Sequence, residues 1–157
     1  MTTAVDTNII LDILIPDEPF AASSKALLER HLAAGQLIFC EVVLAGLAGL
    51  FPSEEELDAF LTGTGMRMVR SDDRSLYVAG RRWAAYASGR KKGRLSCREC
   101  GKTFKAVCPR CGAALKGRFH VLADFLVGAH ALTHADCLLT RDLGIYKSYF
   151  KDLKVAG

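Results

Sequence analysis

The sequence predicts an α/β fold in which a mainly parallel central sheet is flanked by helices. Short apolar runs of strand length alternate along the chain with longer segments of helical period, and this alternation is typical of a parallel sheet with crossover helices on both faces. Three of the apolar runs are closely followed by an acidic residue. Because parallel strands end at the same edge of a sheet, we expect these acids to share one site there.

The predicted elements follow the order β, α, α, β, α, α, β, α, insert, α, β, α, β. Short apolar runs predict strands at residues 3–5, 36–40, 66–69, 137–140 and 153–156. The strongest helical period of the chain lies between Val121 and Leu132, where apolar residues recur at the spacing of one helix face.

Local sequence marks several of the helix ends. Pro19 suits the first turn of the second helix, and Gly35 ends that helix. Ser53 followed by Glu56 is a capping box, in which a hydroxyl and a carboxylate bind the first free N–H groups of a helix. Ser71 is a favourable N-cap for the helix that follows it.

The chain, at 157 residues, is long enough for a single domain over 1–157 with one full core and a small insert. Hydrophobic residues make up 50% of it, which argues against disorder. No apolar stretch reaches membrane-spanning length, and the opening residues show neither the basic region nor the cleavage site of a signal peptide. We therefore expect a cytoplasmic protein with no membrane partner.

Basic residues are concentrated in one segment. Residues 81–118 hold 12 of the 21 Lys and Arg residues and a single acid, Glu99, which gives the segment a charge of +11. The rest of the chain holds 9 basic and 16 acidic residues and has a charge of −7. A basic segment on an acidic body favours contact with nucleic acid, although blocks of charge also occur as solvated surface loops.

Four of the six cysteines form two matching pairs, Cys97-x-x-Cys100 and Cys108-x-x-Cys111, and each pair is followed by glycine. A two-residue gap lets both thiolates of a tight turn face one ion, and two such turns complete a tetrahedral sulfur site of the kind that binds zinc. We therefore predict a structural Zn²⁺ site in an inserted knuckle or ribbon at residues 95–117, a segment too short to bury a core of its own.

Other interpretations of the cysteines remain open. Two disulfides would require an oxidising compartment, and a redox-active Cys-x-x-Cys motif does not need a second copy. Iron in a rubredoxin-like site has the same four-sulfur ligand set. Cys40 and Cys137 stand apart, within predicted strands, and are interpreted as small core residues.

The acids that follow predicted strands are Asp6, Glu41 and Asp142, and Asp124 lies near the start of the long apolar helix. Carboxylates gathered at one sheet edge would form a hard-oxygen site suited to Mg²⁺ or Mn²⁺. From position alone, however, Asp6 and Asp142 could simply cap the helices that follow them. Glu41 could likewise be an exposed acid in the first turn of its helix.

Three segments carry a resemblance to a known family. They are Val5 to Asn8, Ala123 to Ala131, and Leu138 to Asp142, the last continuing to Tyr146 and Phe150. Together they resemble the PIN-domain nucleases, and specifically the VapC-type toxins of bacterial toxin–antitoxin pairs. The resemblance covers the body of the chain at both ends, is weak through residues 51–118, and implies a PIN-like three-layer fold.

The resemblance also implies a divalent-metal-dependent endoribonuclease that cleaves RNA, pairs with a cognate antitoxin and forms a homodimer. The family's metal-binding acids match Asp6, Glu41, Asp124 and Asp142, and Asn8 and Thr140 match their polar supports. Mg²⁺ or Mn²⁺ held by such acids lowers the pKa of a bound water and steadies the charge on a phosphate. The usual VapC pattern runs from one helix to the next without the cysteine segment, so the role of that segment is left open.

Other functions fit parts of the pattern. The main alternative is a non-catalytic zinc-containing RNA-binding module in which the acids are structural. A receiver-like or dehalogenase-like domain also uses an acid cluster, but it gives no reason for Asp124 on a late helix. His130 and His134, one helical turn apart, could bind an ion, but we interpret them as solvent-facing or packed side chains.

Overall fold

The computed structural model describes residues 1–15, 19–88, 94–96, 103–105, 107–113 and 122–157, with the backbone alone at 94–96 and 103–105. Along the chain the elements are β1 (Thr2–Val5), α1 (Thr7–Leu14), α2 (Ala21–Ala34), β2 (Gln36–Phe39), α3 (Glu41–Ala48), α4 (Glu54–Gly63), β3 (Arg67–Met68), α5 (Asp73–Ser88), β4 (Arg94–Ser96), β5 (Thr103–Lys105), α6 (Leu122–His134), β6 (Cys137–Leu139), α7 (Leu143–Tyr149) and β7 (Val155–Ala156). This confirms the predicted order. None of the helices described is long and apolar enough to cross a membrane.

Five strands form one parallel sheet in the order β3-β2-β1-β6-β7. The central strand β1 pairs with β2 on one side, where Ala4 lies opposite Ile38, and with β6 on the other, where Ala4 lies opposite Leu138. The carboxyl ends of these three strands therefore lie at one edge of the sheet. Strands β4 and β5, which flank the first cysteine pair in the sequence, form a separate antiparallel hairpin. The predicted α/β class with a mainly parallel sheet is confirmed.

The helix boundaries agree with the local sequence signals except at the starts of α2 and α5. Phe20 is the N-cap of α2, so Pro19 lies just before the helix and not in its first turn. The hydroxyl of Ser53 accepts the N–H of Glu56 at 3.3 Å and caps α4, and Gly35 ends α2. The prediction that Ser71 caps α5 is wrong. Asp72 directly precedes this helix, and its Oδ1 accepts the N–H of Ser75 at 2.8 Å. A carboxylate at this end is favoured over a hydroxyl because its charge also complements the helix dipole.

Helices α5 and α6 pack against each other as an antiparallel pair. At one end, the hydroxyl of Ser75 on α5 lies 2.5 Å from the hydroxyl of Thr133 on α6. At the other end, the ring of Trp83 on α5 lies 5.4 Å, centroid to centroid, from the ring of Phe125 on α6. The end of α5 and the start of α6 therefore meet in space, and the cysteine segment lies between them in the sequence.

Cys40 and Cys137 are buried, as expected for core residues. Cys137 opens β6, whereas Cys40 lies one residue past β2 and occupies the N-cap position of α3. Burial raises the pKa of both thiols. Both therefore stay protonated at neutral pH, which disfavours metal binding or redox chemistry.

Gly128 allows the middle of α6 to pack directly against two aromatic rings. A Cβ atom at this position would lie 2.8 Å from ring carbons of both Tyr146 and Phe150. The two rings are almost completely buried, at 1% exposure each, so neither has free space into which to move.

We expect Gly128→Ala to destabilise the fold by about 1–3 kcal/mol, the usual cost of overpacking a core, even though alanine favours helix. Gly80, inside α5, is the matched control because a Cβ atom there would have nothing within 4 Å. Gly80→Ala should instead stabilise the fold by up to about 1 kcal/mol. Urea unfolding measures both changes, and a Gly128→Ala variant as stable as Gly80→Ala would contradict the close packing.

Candidate metal centre

Asp6 follows β1 and caps α1, so its carboxylate is held at the carboxyl edge of the sheet. Its Oδ1 accepts the N–H of Thr7 at 2.7 Å. Its Oδ2 accepts the hydroxyl of Thr140 at 2.7 Å and the side-chain amide of Asn8 at 3.0 Å. Asp6 is therefore a helix cap, as one interpretation of the sequence held, and also a carboxylate fixed in orientation by three donors.

Asn8 and Thr140 connect Asp6 to the turn between β6 and α7. The Oδ1 of Asn8 accepts the backbone N–H of Arg141 at 3.1 Å. The hydroxyl oxygen of Thr140 accepts the N–H of Asp142 at 3.1 Å while its proton is donated to Asp6. Asp142 itself occupies the N-cap position of α7 without a side-chain capping bond.

The Tyr146 hydroxyl contacts two of the four acids singled out from the sequence, Asp6 through its carboxylate and Asp124 through its backbone. It is 3.4 Å from Asp6 Oδ2 and 3.4 Å from the carbonyl oxygen of Asp124. Burial raises the pKa of Tyr146, and the negative charges of Asp6, Asp124 and Asp142 raise it further. Sequence reasoning gave Tyr146 no role, although its position one helical turn after Asp142 is the signal that could have revealed one.

The Asp6 carboxyl group holds its proton more tightly than a free aspartate does. Burial is the main reason that the pKa of Asp6 is raised, and the nearby Asp124 charge adds to the effect. Hydrogen bonds from Thr140, Thr7 and Tyr146 act in the opposite direction but do not cancel it. A bound cation would relieve both causes, because it replaces lost hydration and offsets the neighbouring charge.

Glu41 lies at the same sheet edge but is bound to a different set of neighbours. Its Oε2 accepts the N–H of Ser71 at 3.0 Å. Burial acts to raise the pKa of Glu41, but hydrogen bonds from its own N–H and from Ser71, together with the nearby His130, lower it overall. Glu41 is thus held as a carboxylate, and Ser71 is a contact that sequence reasoning missed.

The donor set fits a hard divalent cation, although the side chains do not yet converge on one point. Among the residues described, no three His, Cys, Asp or Glu side chains lie close enough together to hold one ion as they stand. Asp124 and Asp142 are only half-buried. The carboxylates would have to draw together around a shared ion, whose all-oxygen ligands would suit Mg²⁺ or Mn²⁺.

Solved structures match this fold along the whole chain. A chain of VapBC2 from Rickettsia felis, solved bound to a DNA fragment from its promoter, matches with a TM-score of 0.61 and 18% identity over 99% of this chain and 98% of that chain. VapBC-1 from nontypeable Haemophilus influenzae matches with a TM-score of 0.60 and 16% identity over 99% and 97%. FitAcB from Neisseria gonorrhoeae matches with a TM-score of 0.60 and 16% identity over 99% of this chain and 96% of that chain. No protein-family model and no curated protein matches the sequence.

The chain has a PIN-like fold. At 16–18% identity the similarity to these structures establishes the fold alone. The PIN-like fold was the architecture implied by the residues around Asp6 and between Asp124 and Asp142, so that prediction is confirmed.

The two histidines of the PIN-like core are packed side chains. His130 is 1% exposed, and burial, followed by the nearby His134, lowers its pKa, so the ring is neutral. His134 Nε2 lies 3.3 Å from the hydroxyl of Ser75 and 3.6 Å from Asp72 Oδ1. These contacts join α5 to α6 and agree with the interpretation of both histidines as packed residues.

The second cysteine pair, Cys108 and Cys111, forms a tight turn. The carbonyl of Cys108 accepts the N–H of Gly112 at 2.9 Å, and Gly112 adopts a φ of 68°, which glycine tolerates best. The N–H groups of Cys111 and Arg110, followed by the Cys111 thiol, lower the pKa of the Cys108 thiol. This environment favours a thiolate, the form that binds zinc. The partner cysteines, Cys97 and Cys100, lie outside the described residues.

Metal binding at the acidic site should reverse the pH dependence of stability. Because the pKa of Asp6 is raised above 3.8 by folding, the metal-free protein should lose stability as pH rises from about 4 through the raised value. Mn²⁺ binds the ionised form, so its stabilising effect should grow over the same range. Melting temperatures of wild type and Asp142→Asn, with and without Mn²⁺, measure this. Equal Mn²⁺ shifts in the two proteins would argue against Asp142 as a ligand.

Proposed function

We propose that this protein is a divalent-metal-dependent endoribonuclease and the toxin of a toxin–antitoxin pair in the cytoplasm. The observation that supports this most directly is the Tyr146 hydroxyl, which contacts the Asp6 carboxylate and the Asp124 backbone in a PIN-like fold and whose pKa is raised by the charges of Asp6, Asp124 and Asp142. Open α/β folds bind their ligands at the carboxyl edge of the sheet, where Asp6 lies. The toxin role is supported by the fold shared with VapBC and FitAB structures.

Asp6, Asp124 and Asp142 would hold Mg²⁺ or Mn²⁺, with Glu41 at the end of the neighbouring strand. When bound, the ion would lower the pKa of a water molecule and offset the charge of an RNA phosphate. Asp6 is kept pointing into the site by its bonds to the Thr7 N–H and the Thr140 hydroxyl. No histidine is required as a base, since the water is activated by the ion.

Tyr146 would help to keep the site in its ionised form. Its raised pKa means that the phenol remains protonated at neutral pH and can only donate to Asp6. A neutral donor at this point stabilises the Asp6 carboxylate without occupying the face that a cation needs.

The cysteine segment would be a structural zinc module. Cys97, Cys100, Cys108 and Cys111 would be the four ligands. The turn from Cys108 to Gly112 supports this, because its N–H groups already stabilise a thiolate. A four-sulfur zinc site has no open coordination position and therefore serves structure and not catalysis.

The antitoxin would dock on a groove between α3 and α4. A cavity of about 440 Å³ is lined there by Leu44, Ala48, Phe51, Pro52 and Leu57, with Glu54 and Asp58 at its polar side. Phe51 also lines a smaller cavity, together with Leu14, Ile15 and Leu50. An apolar floor with an acidic rim fits a partner segment that carries both apolar and basic side chains.

The resemblance to VapC-type toxins also supports a homodimer. Light scattering at high micromolar concentration would measure the oligomeric state.

The test of the function is cleavage of a single-stranded RNA that is blocked at both ends, using protein purified without chelators. With Mn²⁺ we expect internal cleavage, and without divalent ions we expect none, because the water then lacks its activating ion. Protein that binds the RNA but never cleaves it in the presence of Mn²⁺ would contradict the proposal. That outcome would favour the non-catalytic zinc-containing RNA-binding module.

A further inference from the structure

The ion pair between Asp12 and Arg141 has the most deeply buried carboxylate of the ion pairs described. It lies beside the candidate metal centre, but Asp12 is not one of the proposed metal ligands. Asp12, in the second half of α1, is 1% exposed. Aspartate is almost never buried to this degree unless it is paired. Its Oδ2 accepts the hydroxyl of Ser24 on α2 at 2.5 Å, and its Oδ1 lies 2.5 Å from Nη2 of Arg141. The Arg141 contact lacks hydrogen-bond geometry and acts as a close ion pair.

Arg141 makes contacts through both its backbone and its guanidinium group. Its backbone N–H donates to Asn8 Oδ1 at 3.1 Å. Its guanidinium carbon lies 4.3 Å from the centre of the Phe20 ring, within the range of a cation–π contact. The side chain remains 34% exposed, so burial alone does not explain why it turns toward Asp12.

Arg141 also separates two residues of the proposed catalytic site. Thr140 before it donates to Asp6 at 2.7 Å, and Asp142 after it donates its N–H to the Thr140 oxygen at 3.1 Å. A chain segment fixed on both sides of a turn has few conformations left to it. Tethering residue 141 to α1 and α2 therefore limits the directions available to the residues on either side.

We propose that Arg141 is a positioning residue, which holds the turn of residues 140–142 against Asp6 through its ion pair with Asp12. Asp12 and Ser24 form the buried end of this tether, and the exposed Phe20 ring lies against the guanidinium. The importance of Asp142 for catalysis rests on the proposed nuclease function, whereas the orientation of the turn does not.

A purely structural ion pair would behave differently from a positioning one. Its removal would lower overall stability and leave the residues of the turn as rigid as the rest of the folded protein. Removal of a positioning residue keeps the fold in place and frees the turn locally. The experiment must therefore measure local order in the folded protein.

The chain provides a matched control for Arg141. Arg82 pairs with Asp152 at 2.7 Å, donates to the carbonyl of Tyr149, and lies 4.5 Å from the centre of the Phe150 ring. Arg82 thus has a carboxylate partner, a backbone contact and an aromatic contact, as Arg141 does. It belongs to α5 and makes no described bond to the turn of residues 140–142.

The experiment compares wild type, Arg141→Met and Arg82→Met by NMR relaxation in the full chain without divalent ions. In Arg141→Met the order parameters of the N–H groups of Arg141 and Asp142 should fall from about 0.85 to below about 0.6, with strand β6 unchanged. Arg82→Met should leave them unchanged. Asp12→Asn should reproduce the Arg141→Met result, and the double variant should add nothing further. Arg141→Lys, which keeps the charge without the planar fork, should give a smaller effect.

Mn²⁺ titration by calorimetry adds a second readout. We expect Arg141→Met to weaken Mn²⁺ binding about tenfold or more, the usual effect of removing a residue that orients a metal ligand. Unchanged order parameters in Arg141→Met, or an equal fall in Arg82→Met, would overturn the positioning role. Wild-type protein that does not bind Mn²⁺ would refute the proposed metal site instead, and the order parameters would still decide the role of Arg141.

Discussion

Asp6→Asn is expected to reduce Mn²⁺-dependent RNA cleavage on the order of a thousandfold. The substitution removes the carboxylate that is most firmly fixed at the sheet edge, where Thr7, Asn8 and Thr140 all donate to it. Metal assistance contributes several kcal/mol to hydrolysis, and about 1.4 kcal/mol corresponds to a factor of ten in rate. Single-turnover cleavage at saturating protein measures the decrease without interference from RNA binding.

Asp136→Asn is the control for this substitution. The Asp136 carboxylate also accepts a backbone N–H, that of Thr2 at 2.7 Å, but it lies before β6 at the amino end of the strands. Its isosteric replacement should leave cleavage within about twofold of wild type, since it lies away from the candidate metal centre. An Asp6→Asn variant that is folded and cleaves as fast as Asp136→Asn would exclude Asp6 from catalysis.

Replacing residues 95–117 with a short Gly/Ser linker is expected to weaken RNA binding by about ten- to a hundredfold. An acidic site repels RNA, so another surface must attract the phosphates. The basic residues proposed for this, whose side chains lie outside the described residues, are Arg90, Lys91, Lys92, Arg94, Arg98, Lys102 and Lys105. The linker removes the last three of them and leaves the first four in place. For every phosphate that the variant no longer binds, the log–log salt slope should become shallower by about 0.7 on single strands.

The linker variant must keep its metal site for this result to be meaningful. Mn²⁺ binding by calorimetry, unchanged from wild type, would show that the acidic edge is intact. Weaker RNA binding with a shallower salt slope would then assign RNA contact to the cysteine segment. An unchanged salt slope in the folded variant would remove the segment from RNA recognition and favour contact with a protein partner.

The fold was predictable because its main signals are local. Apolar runs of strand length and helical period are properties of neighbouring residues, and together they gave every helix and every strand of the five-stranded sheet in the correct order, whereas the hairpin of β4 and β5 was not predicted. The short strand β3, only Arg67–Met68, was still found because glycines and polar residues isolate it. The choice between Ser71 and Asp72 as a cap was missed, because serine and aspartate are both good N-cap residues and adjacent positions are not separated by local sequence.

The position of the candidate site was predictable, but its contacts were not. Strand ends place Asp6 at the sheet edge whatever its neighbours are. The bond from Tyr146 to Asp6 and the pairing of Arg141 with Asp12 join residues far apart in the sequence. The spacing of Tyr146 from Asp142 suggests a role at the site, but neither residue type nor spacing identifies the distant partner in such pairs, which depends on the angles at which helices cross the sheet.

The meeting of the end of α5 with the start of α6 has a consequence for the cost of the long connection between these helices. When the two ends of a loop are already held together by helix packing, lengthening the loop adds little closure entropy, about 0.6 kcal/mol for each doubling. Trp83 and Phe125 provide that closure from the helices themselves. The connection between the two helices can therefore be long with little cost to folding, and it leads in the sequence directly into the first turn of α6, which holds Asp124.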